Sequence, residues 1–439
     1  MIGVFSKLVT HFKLFCILLI AILCFQVTNQ NTCANDSILI VTPHPDDETL
    51  GVGGHIARFA KQGDQVYVVA LTAGEGNVFD IYLKKKTITP SYDDLLKYGE
   101  KRIKELIQSL KTLGVTKDNL FILGFPDGGL DFLYLTHWEN TFTSTITNKN
   151  HTFYNKSFVP NTPFTGENIY LQLQQIINLT KPTKIFLIDT LDIHDDHWPS
   201  YCFAIVAILD IISGNNNFYP EIYTFPIHFQ KYPNPKGYKK NQKLMPTKEM
   251  NQYNPTYQEY SLNHDEILLK KEAIMNYESQ FLLGENLLLS FIRKNELFSR
   301  PIKFNLEKFK QYELYDSSID VSSHFRETSA NITKMKISRN ENDLTVTLTT
   351  NGKINNNYNY FLRLNVFFDN HFERYDISYH DKKSMNNIFQ EKESIIFKIS
   401  SQYTENAKYL FLGMDTNFYP KVRKVRSFID RTNYFIFEL

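Results

Sequence analysis

Thr42-Pro43-His44-Pro45-Asp46-Asp47-Glu48-Thr49 follows a short apolar run, Ile38-Leu39-Ile40-Val41, and precedes a glycine-rich opening, Leu50-Gly51-Val52-Gly53-Gly54-His55. That order reads as a buried strand, a polar turn and a helix start. In open α/β sheets, ligands bind at the carboxyl ends of strands. Here one imidazole and three carboxylates fall within five residues of such an end, a dense set of metal and acid/base groups. The competing reading is a helix N-terminus, where acidic residues complement the helix dipole. It accounts for Asp47 and Glu48 and leaves His44 unexplained. The stretch by itself does not choose.

Downstream, apolar β-branched runs at 65–72, 120–123, 184–189 and 221–228 alternate with helical spacing at 49–62, 92–113, 166–178 and 199–212. Alternation of this kind predicts a Rossmann-like α/β unit, a parallel sheet with helices on both faces. Residues 136–163 lack a period and read as an insertion or lid, and 231–260 as a long surface connection. Two closing helices are expected at 265–283 and 285–298. From about Ser318 the pattern changes to short alternating strands, at 332–349, 360–368, 394–400, 409–414 and 434–437. They predict a C-terminal all-β, sandwich-like module. The expected division is 1–30, 36–315 and 320–439.

A second cluster, Asp192-Ile193-His194-Asp195-Asp196-His197-Trp198, follows the strand at 184–189 and precedes an apolar helix. Two His/Asp clusters at the same end of one sheet can converge on a metal. Imidazole and carboxylate ligands without sulfur suit zinc, or another divalent ion with affinity for imidazole. A catalytic zinc keeps an open position and brings the pKa of bound water to about 7. Of the adjacent aspartates, one can bind metal while the other takes a proton. His194 is well placed to face the oxyanion formed on attack.

These residues resemble the LmbE-like/PIG-L de-N-acetylases, which share a His-Pro-Asp-Asp-Glu turn and a later His-X-Asp-His. The counterparts here are His44-Pro45-Asp46-Asp47-Glu48 and His194-Asp195-Asp196-His197, with Asp195 where proline is usual. Arg102-Ile103-Lys104-Glu105-Leu106 and Phe121-Ile122-Leu123-Gly124-Phe125-Pro126-Asp127-Gly128 resemble further family segments, and Tyr277-Glu278-Ser279-Gln280 and Asn295-Glu296-Leu297-Phe298 resemble the family's closing helices. The likeness covers about residues 37 to 300. It implies His44, Asp47 and His197 as metal ligands, with Zn2+ as cofactor. It implies Asp46 as general base, and His194 as the group polarising the amide or stabilising its oxyanion, oriented by Asp196. Arg102 is implied as a substrate or site-ordering residue, and His228 is a further candidate for the pocket. The implied reaction removes an N-acetyl group from an N-acetylated amino sugar or glycoconjugate. Two alternatives are hydrolysis of another amide or an ester, and an exported glycan-binding protein with a relict site. Glu48 reads as a helix-start acid, and His55 and Trp198 as packing residues.

Formal net charge is +1, so no strong field points to nucleic acid or anionic lipid. The apolar run at 14–25, behind Lys7 and Lys13, matches a signal-peptide core and is short for a spanning helix, which needs about 20 residues. Export is expected, with a membrane anchor over 9–27 as the alternative and the sole expected membrane contact. Cleavage would leave Cys33 and Cys202; Cys202 reads as a buried thiol.

Overall fold

β1 (Ser37–Thr42) is the middle of five parallel strands, in the order β3-β2-β1-β4-β5, with β2 at Gln65–Thr72, β3 at Leu120–Phe125, β4 at Lys184–Ile188 and β5 at Glu221–Phe225. The computed structural model describes residues 35–77, 81, 90–214, 217–316, 327–340, 343–369, 371–380, 388–419 and 428–439. The N-terminal apolar segment and Cys33 lie outside them. Alternate side chains of a strand face opposite sides, and β1 divides accordingly. Ile38 and Ile40 pack under α1 (Asp47–Gln62), α2 (Tyr92–Thr112) and a later helix; Leu39 and Val41 pack on the other face. α2 starts on a capping box formed by Ser91 and Asp94, and the chain turns at Gly114 with φ 89°. Gly51 lets α1 lie on the sheet: a Cβ there would sit 2.1 Å from the Phe225 ring.

The other face carries α4 (Gly166–Thr180) and α5 (His197–Gly214), after the short α3 (Leu130–Leu135). α5 is long and apolar enough to cross a membrane by composition, yet 83% of it is buried inside the fold. It is apolar all round because it is covered on both sides. It packs on β1 and β4 beneath, and Phe367, Phe411, Phe428 and Ile436 of the C-terminal module share its core. Cys202 is buried within it, as expected. Residues 136–163 form no helix or strand and lie along the edge strand, with Tyr154 and Phe142 buried.

The connection at 231–260 contains α6 (Lys248–Tyr253) and β6 (Gln258–Ser261). Of the two closing helices, α7 spans His264–Met275 and α8 spans Glu278–Ser290. The expectation of helix to 298 is corrected: β7 (Asn295–Phe298) is a strand, paired antiparallel with β6. Non-local pairing overrides the local pattern there. Glu296 is also tied to the backbone N–H groups of Gly54 and His55 at 2.7 and 3.1 Å.

The C-terminal module is two packed antiparallel-rich sheets. One has the order β14-β15-β11-β10-β9 and the other β13-β12-β16-β18-β8. The strands are β8 (Lys303–Asn305), β9 (Gln311–Tyr315), β10 (Ile332–Asn340), β11 (Asp343–Thr350), β12 (Tyr358–Phe367), β13 (Phe372–Ser378), β14 (Ile388–Gln390), β15 (Ser394–Ile399), β16 (Tyr409–Phe418) and β18 (Phe435–Glu438), with β17 (Asp430–Arg431) paired on β16. Pairing into these sheets begins at Lys303, ahead of the change of pattern read near Ser318. Along β11, Leu344, Val346 and Leu348 turn inward and meet Leu362, Leu364, Leu410 and Leu412 of the facing sheet. Burying each such side chain contributes about 1.5–3 kcal/mol.

Candidate metal and catalytic site

α1 follows β1 on one face of the sheet, and α5 follows β4 on the other. The strand order therefore reverses between β1 and β4, and the crevice at their carboxyl ends is a topological switch point. Both His/Asp clusters sit there. Within the first, Asp46 has φ 121°. That is a costly conformation for a residue with a Cβ, of the kind held only where surrounding structure over-determines it.

Three side-chain atoms converge. His44 Nδ1 lies 3.2 Å from His197 Nε2 and 3.3 Å from Asp47 Oδ2, and His197 Nε2 lies 3.5 Å from Asp47 Oδ2. Each imidazole meets a carboxylate at its far nitrogen. His44 Nε2 stands 3.0 Å from Asp127 Oδ1 and 3.1 Å from Asp196 Oδ2. His197 Nδ1 stands 3.0 Å from Asp192 Oδ2, at ion-pair distance and off the hydrogen-bond line. If those far nitrogens carry the protons, an assignment made from their partners, the facing atoms are three acceptors with no donor among them. Such a set is stable around a cation. Ligands at about 2.0–2.2 Å in a tetrahedron stand roughly 3.3–3.6 Å apart, which matches the observed triangle. His194 joins His44 and His197, and His228 joins Asp47 and His197, in groups whose donor atoms lie within 4.8 Å of one another. The donor chemistry fits zinc or a similar divalent ion.

Around this set lies a cavity of about 720 Å³. Asp46, His194 and His228 line it, with Phe132, Ile146, Ile193 and Leu287 as apolar wall and Asn77 and Gln280 as polar groups. Burial pushes the Asp46 carboxyl up to about 7, with Asp47 and Glu48 adding to the effect and Arg102 opposing it. Arg102 approaches Asp46 Oδ2 at 3.3 Å and donates to the carbonyls of Pro45 (2.6 Å) and Gly74 (2.9 Å). It is a buried brace on the turn. Burial, then the neighbouring His197 and His44, hold His194 well below the ordinary imidazole range. Its Nδ1 accepts the Asp196 backbone N–H at 3.2 Å, so the neutral ring carries its proton on Nε2.

Residues 39–208 match the family described as PIG-L, GlcNAc-PI de-N-acetylase. Over those residues the chain is similar to that family. Over 97 residues the chain is 41% identical to a 1D-myo-inositol 2-acetamido-2-deoxy-alpha-D-glucopyranoside deacetylase of Streptomyces avermitilis, covering 21% of this chain and 31% of that protein. The aligned stretch thus spans about a third of the length of such relatives. Among solved structures, N,N'-diacetylchitobiose deacetylase from Pyrococcus horikoshii is 20% identical, with TM-score 0.38 over 61% of this chain and 85% of that one. A 4-carboxy-2-hydroxymuconate hydratase from Pseudomonas putida is 16% identical, with TM-score 0.36 over 58% and 82%.

The structure brings together the residues proposed for the site from the sequence: His44, Asp46, Asp47, Arg102, His194, Asp196, His197 and His228. One relation differs. Asp196 does not orient His194 through its carboxylate. That carboxylate accepts the N–H groups of Gly128 (2.7 Å) and Leu130 (2.9 Å) and meets His44; only the Asp196 backbone reaches His194. The start of α3 pulls the side chain across the crevice. Glu48 is fully buried and accepts from the Asp46 N–H (3.1 Å) and the Tyr277 hydroxyl (2.5 Å), a structural anchor. His55 is held by Glu296 at 2.5 Å and lies away from the cavity.

Two carboxylates, Asp127 and Asp192, lie in stretches the sequence reading quoted but received no role there. Asp127 meets His44, and its carboxyl is held well below its usual range: burial opposes this, and His44, then Arg102, outweigh it. Asp192 accepts the N–H groups of His194 (3.0 Å), Ile227 (3.1 Å) and His228 (2.8 Å) and pairs with His197. Each stands inside a quoted stretch at the end of a strand, and that position was the available signal.

Proposed function

We propose that this protein is a metal-dependent hydrolase that removes the acetyl group from an N-acetylated amino sugar or glycoconjugate. The observation behind the reading is the triangle of His44 Nδ1, Asp47 Oδ2 and His197 Nε2 beside the strained Asp46, in a cavity with both polar and apolar walls. The sugar class is supported by the deacetylases that the PIG-L segment is similar to. His44, Asp47 and His197 would hold the ion. When bound, a divalent ion supplies Lewis acidity, polarising an amide carbonyl and acidifying water.

The chain's own residues do the rest. Asp46, raised by burial, takes the proton of the attacking water as its oxygen adds to the carbonyl carbon. His194, neutral and protonated on Nε2, offers a donor to the oxygen that becomes negative. Asp46 then passes the proton to the amine nitrogen as the carbon–nitrogen bond breaks, releasing acetate and the free amine. Arg102 keeps the Pro45-Asp46 turn in its strained shape. Asp127 and Asp196 fix the His44 ring, as carboxylates beyond metal-bound imidazoles do.

Acetate release is to be measured for zinc-loaded protein on N-acetylhexosamine mono- and oligosaccharides, phospholipid-linked amino sugars, N-acyl amino acids and simple esters. Release from the amino sugars alone supports the reading. Turnover confined to other amides or esters replaces it with a different hydrolase. Protein that takes up no zinc and releases no acetate points to glycan binding at a relict site. The same reading includes export directed by the N-terminal apolar segment, which N-terminal sequencing of the mature protein tests.

A further inference from the structure

We infer that the C-terminal β module is a working part of the metal site, with Arg431 as its positioning residue. This rests on the metal-dependent reading above. Arg431, on β17, is 2% exposed. Its Nη2 faces the carbonyl oxygens of Asp192 at 3.3 Å and Thr190 at 3.5 Å, and Nη1 faces the Thr432 carbonyl at 3.4 Å. The guanidinium lies 4.7 Å over the ring of Trp198. Among the described residues its charge is met by carbonyls and a ring rather than by a carboxylate. A buried cation is costly unless its surroundings satisfy it, so Arg431 and the 190–192 turn hold each other in place.

The two groups gripped are the ones the site depends on. Asp192 holds the backbones of His194 and His228 and the ring of His197. Trp198 directly follows His197 at the start of α5, and its ring also stacks on Tyr434 of the module at 5.8 Å and 10°. A second arginine grips the opposite wall. Arg374 of β13 donates to the Tyr134 carbonyl at 2.6 Å, at the end of α3, and lies 4.6 Å over the rings of both Tyr134 and Trp138. The start of α3 is where Gly128 and Leu130 hold Asp196 against His44. The module thus braces both backbone segments that orient the donor imidazoles. Losing ordinary packing contacts would lower stability only. Losing a brace on these segments would also lower metal affinity.

The test uses the full chain: Arg431→Gln, Arg431→Lys, and Leu348→Ala in the sandwich core as a control for lost stability. Zinc affinity is read by competition with a chromogenic chelator, with Tm of the apo and loaded forms, kcat and KM beside it. Arg431→Gln is expected to bind zinc at least about 10-fold more weakly, the range for residues beyond the ligands. Its kcat falls and its KM stays within threefold. Lysine restores part of the affinity, lacking the planar fork. Leu348→Ala lowers Tm and keeps wild-type zinc affinity. Wild-type affinity in folded Arg431→Gln overturns the inference, as does a loss in Leu348→Ala that tracks its Tm. If Arg431→Gln does not fold, Trp198→Phe decides: severalfold weaker zinc binding supports the brace and unchanged binding overturns it. Wild-type protein that binds no zinc overturns the metal reading itself, a separate outcome.

Discussion

Asp192→Asn replaces one carboxylate oxygen by an amide nitrogen, and the structure sets its cost. Oδ2 accepts from Ile227 and His228 and faces His197; Oδ1 accepts from His194 alone. The amide keeps more bonds by placing its oxygen at the Oδ2 position. The amide nitrogen then confronts the His194 N–H, and that partly buried donor loses its acceptor. An unsatisfied buried group costs about 1–3 kcal/mol, a drop of a few degrees in Tm. The second loss is the negative charge beside His197 Nδ1, which holds that imidazole as a metal donor. Removing such an orienting carboxylate lowers metal affinity about 10- to 100-fold. Chelator competition gives the affinity and calorimetry the stability. A folded Asp192→Asn protein with lowered Tm and zinc affinity within twofold of wild type would refute the assignment and leave Asp192 as a turn residue only.

Asp46→Asn should retain zinc, since the donor triangle does not include it. Loss of a positioned base lowers kcat by about 10²- to 10⁴-fold, so full turnover in this variant rules Asp46 out as the base. Lys270→Met leaves Glu296 buried without the cation 2.6 Å away; breaking a buried pair costs about 3–5 kcal/mol, measured as a shift of the urea midpoint. Burial raises the Glu296 carboxyl, but Lys270 and His55 outweigh it and hold it down to about 2. A depressed carboxyl stabilises the fold above its unfolded value near 4.3 and loses that contribution as pH falls toward 2. The stability gap between wild type and Glu296→Gln should therefore be full at pH 6 and shrink between pH 4.5 and 2; a constant gap contradicts the pairing. Gly51→Ala drives a methyl into the Phe225 ring and should destabilise by about 1–3 kcal/mol, read by thermal unfolding.

The parallel sheet was legible because its strands are buried on both faces and read as continuous apolar runs, separated by helices of clear period. The site was legible because each donor motif is contiguous, at 44–48 and at 194–197. β7 was not: its four residues follow an apolar helix without a breaker, and their partner, β6, lies about thirty-five residues upstream. The all-apolar character of α5 was visible, but its cause was not. Both its coverings come from distant parts of the chain, the sheet on one side and Phe367 and Phe411 on the other.

By itself the sequence determined the chemical inventory: two imidazole–carboxylate turns, each at the end of a strand, and a separate β-rich tail. Those are local properties of composition and period. Tertiary structure decided how the inventory is arranged in space. It turned the Asp47 carboxylate onto the two imidazoles and left Asp46 strained at the cavity. It sent Asp196 across the crevice to His44 rather than to its neighbour His194. It set Asp127 and Asp192 behind the donors, and it brought Arg431 to the turn that carries Asp192, 239 residues away. The physical reason is common to all of these. A buried charge or N–H group must find a partner in three dimensions, and that partner is set by the packing of the sheet, the helices and the β module rather than by spacing along the chain.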